Sequence, residues 1–252
     1  MEILIVYLYL VIQMVIVWAL YRWLKNPGIV DVGWELGLVV AGLIYLTWVP
    51  WNFRLTIIAL LLILWGVRLG GYIFYTRILK GHVEKRYFKL TENWKVAQSL
   101  GFFLNFQLQG VFILVLSIVF LFAARNPAPQ PGWLDWIGVC IALIGIVGET
   151  VSDWQLYQFQ QHPVGKICQR GLWNYSRHPN YFFEWIIWCG FSLFALHTSW
   201  GWIGLIAPLT LYLLMTRVTG PVTEECSIAS RGEAYSEYQK TTNMFFPGLK
   251  RN

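Results

Sequence analysis

The sequence predicts an all-α, polytopic membrane protein: seven transmembrane helices carrying a cytoplasmic cap of loops and short helices. Three observations predict it. Hydrophobic residues make up 57% of the 252 and charged residues only 13%, with mean hydropathy +0.51; soluble domains run about 45–50% apolar and about 25% charged. Seven continuous apolar stretches occur, each near the ~20 residues that cross a bilayer as a helix. Basic residues also collect in alternate connecting segments, the asymmetry that orients membrane proteins. A β-barrel would instead show alternating segments of about ten residues. Within lipid, a helix satisfies every backbone group inside one segment.

The stretches lie at 3–21, 34–50, 55–76, 99–124, 133–155, 182–197 and 201–218. The first has neither a basic leading region nor a small-residue cleavage site, so it reads as a retained helix. The second and sixth are short, which leaves room for tilt or burial in the bundle. The connector RNPAPQPG at 125–132 is rich in proline and reads as a stiff turn. Segments 157–181 and 219–248 are too long for simple turns and carry most of the polar chemistry, as a functional cap would.

Charge sets the orientation. Sixteen basic residues fall in alternate segments: Arg22 and Lys25, then six between Arg77 and Lys95, then Lys166, Arg170 and Arg177, then five from Arg217 to Arg251. The opposite side holds only Arg54 and Arg125. The positive-inside rule puts the sixteen in the cytoplasm, with the N-terminus outside and the C-terminus inside. Seven spans separate the termini in the same way. The net charge of +6 is thereby explained without nucleic acid, for which no basic stripe with a reading motif is present. Cys140, Cys168, Cys189 and Cys226 form no C-x-x-C pair and read as buried free thiols; with the four histidines they give no metal-binding spacing.

Ionisable groups inside a span cost several kcal/mol unless they are paired or face a cavity (roughly 2.5–3.5 on insertion scales). The sequence keeps Glu35 in DVGWELG, Arg68 in the third span, Glu149 and Asp153 four apart on one face of the fifth, and Glu184 at the start of the sixth. Together they predict a shared polar cavity. Asn105 and Gln109 share a face of the fourth span, while Gln107 points elsewhere; interhelical hydrogen bonding is their simplest role.

The densest constellation is GLWNYSRHPNYFFEW at 171–185. Pro179 restricts His178 to an extended backbone, and a helix follows from about Asn180. Arg177 and His178 stand just before that N-terminus, a place suited to an anion. Asn180, Tyr181 and Glu184 fall on one side of the new helix. The tail adds Glu224 and a short helix with Tyr235 and Tyr238 on one face, stopped by Pro247 and Gly248; read alone, that helix is an amphipathic one lying on the membrane.

With these strings in view, the sequence resembles the steroid 5α-reductase-like superfamily, in particular its bacterial branch. DVGWELG at 31–37, RLGGY at 68–72, LQG at 108–110, GETVSDWQ at 148–155, the RHPNY block and the tail with Glu224, Tyr235, Tyr238 and Pro247 carry the resemblance over most of the chain. Sterol reductases have a similar GLW…RHPNY string. Isoprenylcysteine carboxyl methyltransferases have a related RHP-x-Y element that helps bind S-adenosylmethionine.

The resemblance implies an NADPH-dependent ene-reductase of the membrane, transferring a hydride to a C=C bond conjugated to a carbonyl. The substrate would be a hydrophobic small molecule, steroid-like or another lipid, taken from the bilayer. Residues 1–252 would form one membrane domain, with 1–124 on the substrate side and 133–252 binding the cofactor. Glu35 matches the carboxyl group that holds the substrate carbonyl. Asp153 and Asn180 match cofactor contacts, joined by Arg68, Asn105, Glu149, Lys166, Arg170, Trp173, Arg177, His178, Tyr181, Glu184, Glu224 and Tyr235. The steroid enzymes place a catalytic tyrosine three residues before the arginine matched by Arg68; here that residue is Trp65, an indole that donates one hydrogen bond and is no practical acid. Tyr72 is the nearest replacement. HVEKRY at 82–87 also departs from the relatives, which favour an aspartate near Lys85.

Two other functions fit parts of the same pattern: an S-adenosylmethionine-dependent membrane methyltransferase, and a non-catalytic lipid- or sterol-binding membrane protein. The expected location is a bacterial inner membrane, or the endoplasmic reticulum in a eukaryote.

Overall fold

A computed structural model describes residues 1–92 and 94–251, and these contain helices and no strand. Six helical segments are long and apolar enough to cross a membrane: Glu2–Leu24, Ile29–Thr47, Phe53–Leu79, Gln98–Ala124, Trp133–Gln161 and Gly201–Arg231. We label α1 (Glu2–Leu24), α2 (Ile29–Thr47), α3 (Phe53–Ile73, prolonged by a π-helical turn Phe74–Leu79), α4 (Lys85–Thr91), α5 (Gln98–Ala124) and α6 (Trp133–Gln161). There follow α7 (Pro179–Ala195), α8 (Ile206–Leu213, entered by a 3₁₀ turn and left by a π-helical turn Leu214–Thr219), α9 (Gly220–Arg231) and α10 (Glu233–Thr241). The chain forms an integral membrane protein.

Local chemistry punctuates these helices. Lys25 closes α1 in the left-handed region at φ 54°, Asn52 caps α3 by accepting from the Leu55 amide, and Pro179 occupies the first position of α7, where its missing N–H is no loss. Gly232, at φ 60°, breaks the helix between α9 and α10.

Several boundaries differ from the sequence reading. Helix α2 begins at Ile29 rather than 34, because Asp31 enters it already paired with Arg77 and Arg86. Helix α6 runs to Gln161 rather than 155, its last turns anchored where Phe159 packs with Cys168 and Trp173 against Leu156. The sixth expected span is α7, 17 residues long, or about 25 Å at 1.5 Å per residue, against a hydrocarbon core of about 30 Å.

The chain divides into two compact units, residues 1–137 with 191–207, and residues 138–190 with 208–252. In the first, α1, α2, α3 and α5 pack with close backbone approach. A Cβ at Gly42 of α2 would lie 2.5 Å from Leu62 Cδ2 and 2.9 Å from Phe120 Cδ2, so a larger residue there would displace both side chains. The outward face of α1 is apolar: Leu4, Leu8, Ile12 and Ile16 are all more than half exposed, while Val6, Leu10, Gln13 and Met14 are buried. A soluble protein would not tolerate so long an exposed apolar stripe; lipid requires it. Arg54, fully buried at the start of α3, donates from Nε to Asp135 Oδ1 at 3.0 Å, from Nη1 to the Ala123 carbonyl at 2.6 Å and from Nη2 to the Phe194 carbonyl. It thereby satisfies carbonyls at the ends of α5 and α7 that no intrahelical N–H can reach.

In the second unit, α6 and α7 press backbone to backbone. A Cβ at Gly145 would lie 2.8 Å from the Phe183 carbonyl, and one at Gly190 2.8 Å from the Gly138 carbonyl. Small residues at such crossings let membrane helices approach. Phe182, Trp185, Tyr212, Phe245 and Phe246 form an aromatic cluster beside them. The cysteines depart from the expectation of buried thiols. All four are free and Cys168 is buried, but Cys140 is exposed, because it stands on the outward face of α6, where lipid replaces protein packing.

Candidate functional site

The close α6–α7 crossing fixes the polar groups of the second unit. Glu149 and Asp153 are one turn apart on α6 and both buried, and Asn180 opens α7 beside them. Asn180 Nδ2 donates to Asp153 Oδ1 at 3.3 Å. The amide is oriented by chemistry, since an ionised carboxylate only accepts. Asn180 Oδ1 is consequently turned away, buried from solvent and with no hydrogen-bond partner among the described residues. One turn along α7, Glu184 is buried and accepts from Trp188 Nε1 at 2.8 Å.

The GLW turn before α7 is held by the helix that precedes it. Trp173 is buried and donates from Nε1 to the Ser152 carbonyl at 2.9 Å, and Gln155 Oε1 accepts from the Leu172 amide at 3.0 Å. Gly171 sits at φ 51° directly over Gln155. Ser152 and Gln155 belong to the ETVSDWQ string, so that motif serves both to present Asp153 and to shape the next segment.

A second cluster centres on Glu224 of α9. Arg177 grips it with both sides of its guanidinium, Nε to Oε1 at 2.7 Å and Nη2 to Oε2 at 3.0 Å, while Nη1 donates to the carbonyls of Gln239 and Thr242. His178 Nε2 lies 3.1 Å from Glu224 Oε1, and Gln239 Nε2 donates to Oε2 at 2.7 Å. The side chains of Arg177 and Glu224 are 10% and 9% exposed, so this is a buried ion pair. Tyr181 stacks on His178 with ring centroids 5.0 Å apart. The sequence reading set Arg177 before the α7 N-terminus as an anion ligand; the folded chain turns its guanidinium onto the tail, because α9 delivers Glu224 to it.

Backbone pairing completes the seam. The Arg177 amide donates to the Asn243 carbonyl at 2.9 Å, the His178 amide to the Met244 carbonyl at 3.2 Å, and Ser176 Oγ to the Phe245 carbonyl at 2.9 Å. Tyr238 donates its hydroxyl to the carbonyls of Trp173 and Ser176. Burial pushes the phenols of Tyr235 and Tyr238 well above their ordinary pKa, so both remain protonated donors. Ser176, Gln239 and Thr242 were not singled out in the sequence; only their place within the RHPNY block and the tail could have marked them.

Lys166 and Arg170 are exposed on the segment between α6 and α7. Lys166 borders an open groove of about 530 Å³ together with Tyr238, Glu237, Thr241 and Lys250.

In the first unit Glu35 is buried on α2 and faces α3 at Gly70, where a Cβ would lie 3.5 Å from Glu35 Cβ. Arg68 and Tyr72 flank Gly70 in sequence, are one turn apart on α3 and are half-buried. Trp65, at the position of the absent phenol, is fully buried. Asn105 Oδ1 accepts from Gln109 Nε2 at 2.8 Å, the shared face that their spacing predicts. One turn before Glu35, Asp31 is clamped by Arg77 and by Arg86 at 2.7 Å. Two cations of the basic 77–95 segment are therefore engaged within the protein; Asn93 of that segment lies outside the described residues. Sequence reading did not single out Asp31, although DVGWELG contains it.

The family model described as "Protein of unknown function (DUF1295)" matches residues 17–242. The chain belongs to this family. With it, this DUF1295 chain joins the steroid 5-alpha-reductase-like superfamily. It is 25% identical to "Uncharacterized protein C594.04c" of Schizosaccharomyces pombe over 93% of its own length and 76% of that protein. It is 30% identical to "3-oxo-5-alpha-steroid 4-dehydrogenase 1" of Mus musculus over 55% of its length and 57% of the mouse protein. The Rattus norvegicus protein of that name is 31% identical over 42% and 46%. The DUF1295 chain thus spans about half the length of these two steroid dehydrogenases. No solved structure matches it.

Proposed function

We propose that this protein is a membrane oxidoreductase that reduces a C=C bond conjugated to a carbonyl in a steroid-like or other lipid substrate, with NADPH as reductant. The observation that carries the cofactor side is the Asp153–Asn180 pair, which leaves Asn180 Oδ1 as a buried acceptor without a donor among the described residues. Nicotinamide carries a carboxamide N–H₂ that such an acceptor fits, and a buried acceptor left unsatisfied costs about 1–3 kcal/mol. The relatives named for 3-oxo-5-alpha-steroid 4-dehydrogenase activity support the reaction class.

NADPH, when bound, supplies the hydride to the β-carbon. Asp153 orients Asn180, and Asn180 orients the carboxamide. Arg177, locked to Glu224, is a positioning residue that fixes the segment leading into α7. Glu35, carrying its proton, would donate a hydrogen bond to the substrate carbonyl and stabilise a developing enolate; a proton from water would then be taken up at the α-carbon to complete the saturated product. Tyr72 is proposed as the second donor in place of the phenol missing at Trp65. Exposed Lys166 and Arg170 would attract the phosphates. The sixteen basic residues would face the cytoplasm, in a bacterial inner membrane or, in a eukaryote, the endoplasmic reticulum.

The test is equilibrium binding and turnover with the full chain in lipid nanodiscs. NADPH should bind, and its oxidation should depend on an added 3-oxo-Δ4 steroid or another apolar enone. Binding of S-adenosylmethionine with none of NADPH would overturn the proposal in favour of methyl transfer. Retention of lipid without binding of either cofactor would overturn it in favour of a lipid-binding protein.

A further inference from the structure

A second cleft lies in the first unit, and none of the residues given a catalytic or cofactor-binding role above lines it. It has a volume of about 370 Å³ and lies among the C-terminal end of α1, helix α4 and the start of α5. Tyr21, Tyr87, Phe88 and Phe102 supply aromatic surface. The Tyr21 and Phe102 rings are in contact, with centroids 4.7 Å apart. Arg22 and Lys25, both exposed, line the same cleft, and among the described residues no acidic one does. Gln98 and Ser99, from the first turn of α5, complete it. That helix is 27 residues long and has no side-chain cap, so its first amides point outward in need of acceptors.

Each feature matches a different part of one kind of molecule. Two cations and an uncapped helix N-terminus attract a phosphodiester. The aromatic surface, placed where the α1, α4 and α5 ends leave the apolar spans, suits the glycerol and upper acyl carbons. We propose that this cleft binds the headgroup of an anionic phospholipid from the adjoining leaflet. A zwitterionic lipid brings its own ammonium group to a place that already holds two cations, so it binds less well. The inference rests on the helices spanning a bilayer and is independent of the reductase reading.

The experiment places the full chain in nanodiscs of equimolar dioleoylphosphatidylglycerol and dioleoylphosphatidylcholine, then weighs the lipid that it retains by native mass spectrometry. Phosphatidylglycerol should be retained over phosphatidylcholine by about ten-fold, the scale expected of one or two basic residues at a membrane surface. The double variant Arg22→Gln/Lys25→Gln should lose that preference, and Lys240→Gln/Lys250→Gln should keep it. A second measurement reads the part of the tryptophan fluorescence that the Trp18→Phe variant removes. Trp18, whose Nε1 donates to the Ser99 carbonyl at 2.9 Å, should be quenched more by bromine-labelled phosphatidylglycerol than by the labelled phosphatidylcholine, and inorganic phosphate should not reverse this. Equal retention or equal quenching of the two lipids overturns the proposal. So does a preference that survives in the first variant, or displacement by inorganic phosphate alone, which would mark a site for free anions.

Discussion

Arg177 and Glu224 meet side on, with two parallel hydrogen bonds of 2.7 and 3.0 Å, and this pair ties the segment before α7 to α9. Breaking a buried pair from one side leaves the other charge uncompensated, at about 3–5 kcal/mol. Glu224→Ala should therefore lower the thermal midpoint of the purified protein sharply. Glu224→Gln, which keeps two hydrogen-bonding atoms, should lower it less. Equal midpoints for Glu224→Ala and the parent would show that the pair does not hold the seam.

Asp153→Ala frees Asn180 to rotate without touching the Arg177 pair. NADPH affinity should fall by about ten-fold or more, the scale of a lost hydrogen bond to a charged group, in a variant that still melts cooperatively in the absence of cofactor. Titration of intrinsic fluorescence reads the affinity, and a melt followed by the same signal reads the fold.

Glu35→Gln separates the substrate side from the cofactor side. The enone reduction rate should drop by about 10²-fold, as for loss of one donor at a developing oxyanion, while NADPH binds as before. Parallel loss of cofactor binding would remove Glu35 from the role proposed.

The Arg54–Asp135 pair offers a test of packing alone. Asp135→Ala strands a fully buried guanidinium and should cost about 3–5 kcal/mol. The double change Arg54→Leu/Asp135→Leu should cost less than that single one, because no charge is left behind. Chemical denaturation in detergent measures the difference.

Alkaline pH should loosen the tail. Burial raises the Tyr238 pKa in the folded chain above its unfolded value, near 10. Its contribution is therefore fully present below about pH 10 and is lost as the pH climbs from there through the folded pKa. Tyr238→Phe should lower stability by about 1 kcal/mol at neutral pH and flatten the loss above pH 10. A melting series from pH 7 to 11.5 would reveal both effects.

Much of this was legible because the bilayer is an exacting solvent. The apolar runs located the spans, and the i, i+4 spacing of Asn105 with Gln109 put them on one face, although they bond each other within α5 and not a neighbouring helix as expected. The RHPNY string located Asn180 and its neighbours. What the sequence hid depended on partners far along the chain. Nothing near Asp31 shows that Arg77 and Arg86 will neutralise it inside α2. Nothing near Arg177 shows that α9 will bring Glu224 to it. The start of α2 was missed for the same reason: the stretch was begun at 34, past Asp31, whose charge is admitted to the helix by counterions from elsewhere.

The π-helical turns Phe74–Leu79 and Leu214–Thr219 are alike in detail. In each a threonine hydroxyl, Thr76 or Thr216, returns its proton to a tyrosine carbonyl four residues back, Tyr72 or Tyr212. A π turn is an α-helix with one residue too many, and each residue turns the helix by about 100°. Excising Ile78 would remove that surplus residue and let the first coil relax to α-helix, with the chain on either side still in register. Shortening the chain by one residue should thus do less harm there than in a regular turn of α3, where the same excision would rotate everything beyond it by about 100°, and the two coils become the places where the polypeptide best tolerates a change of length.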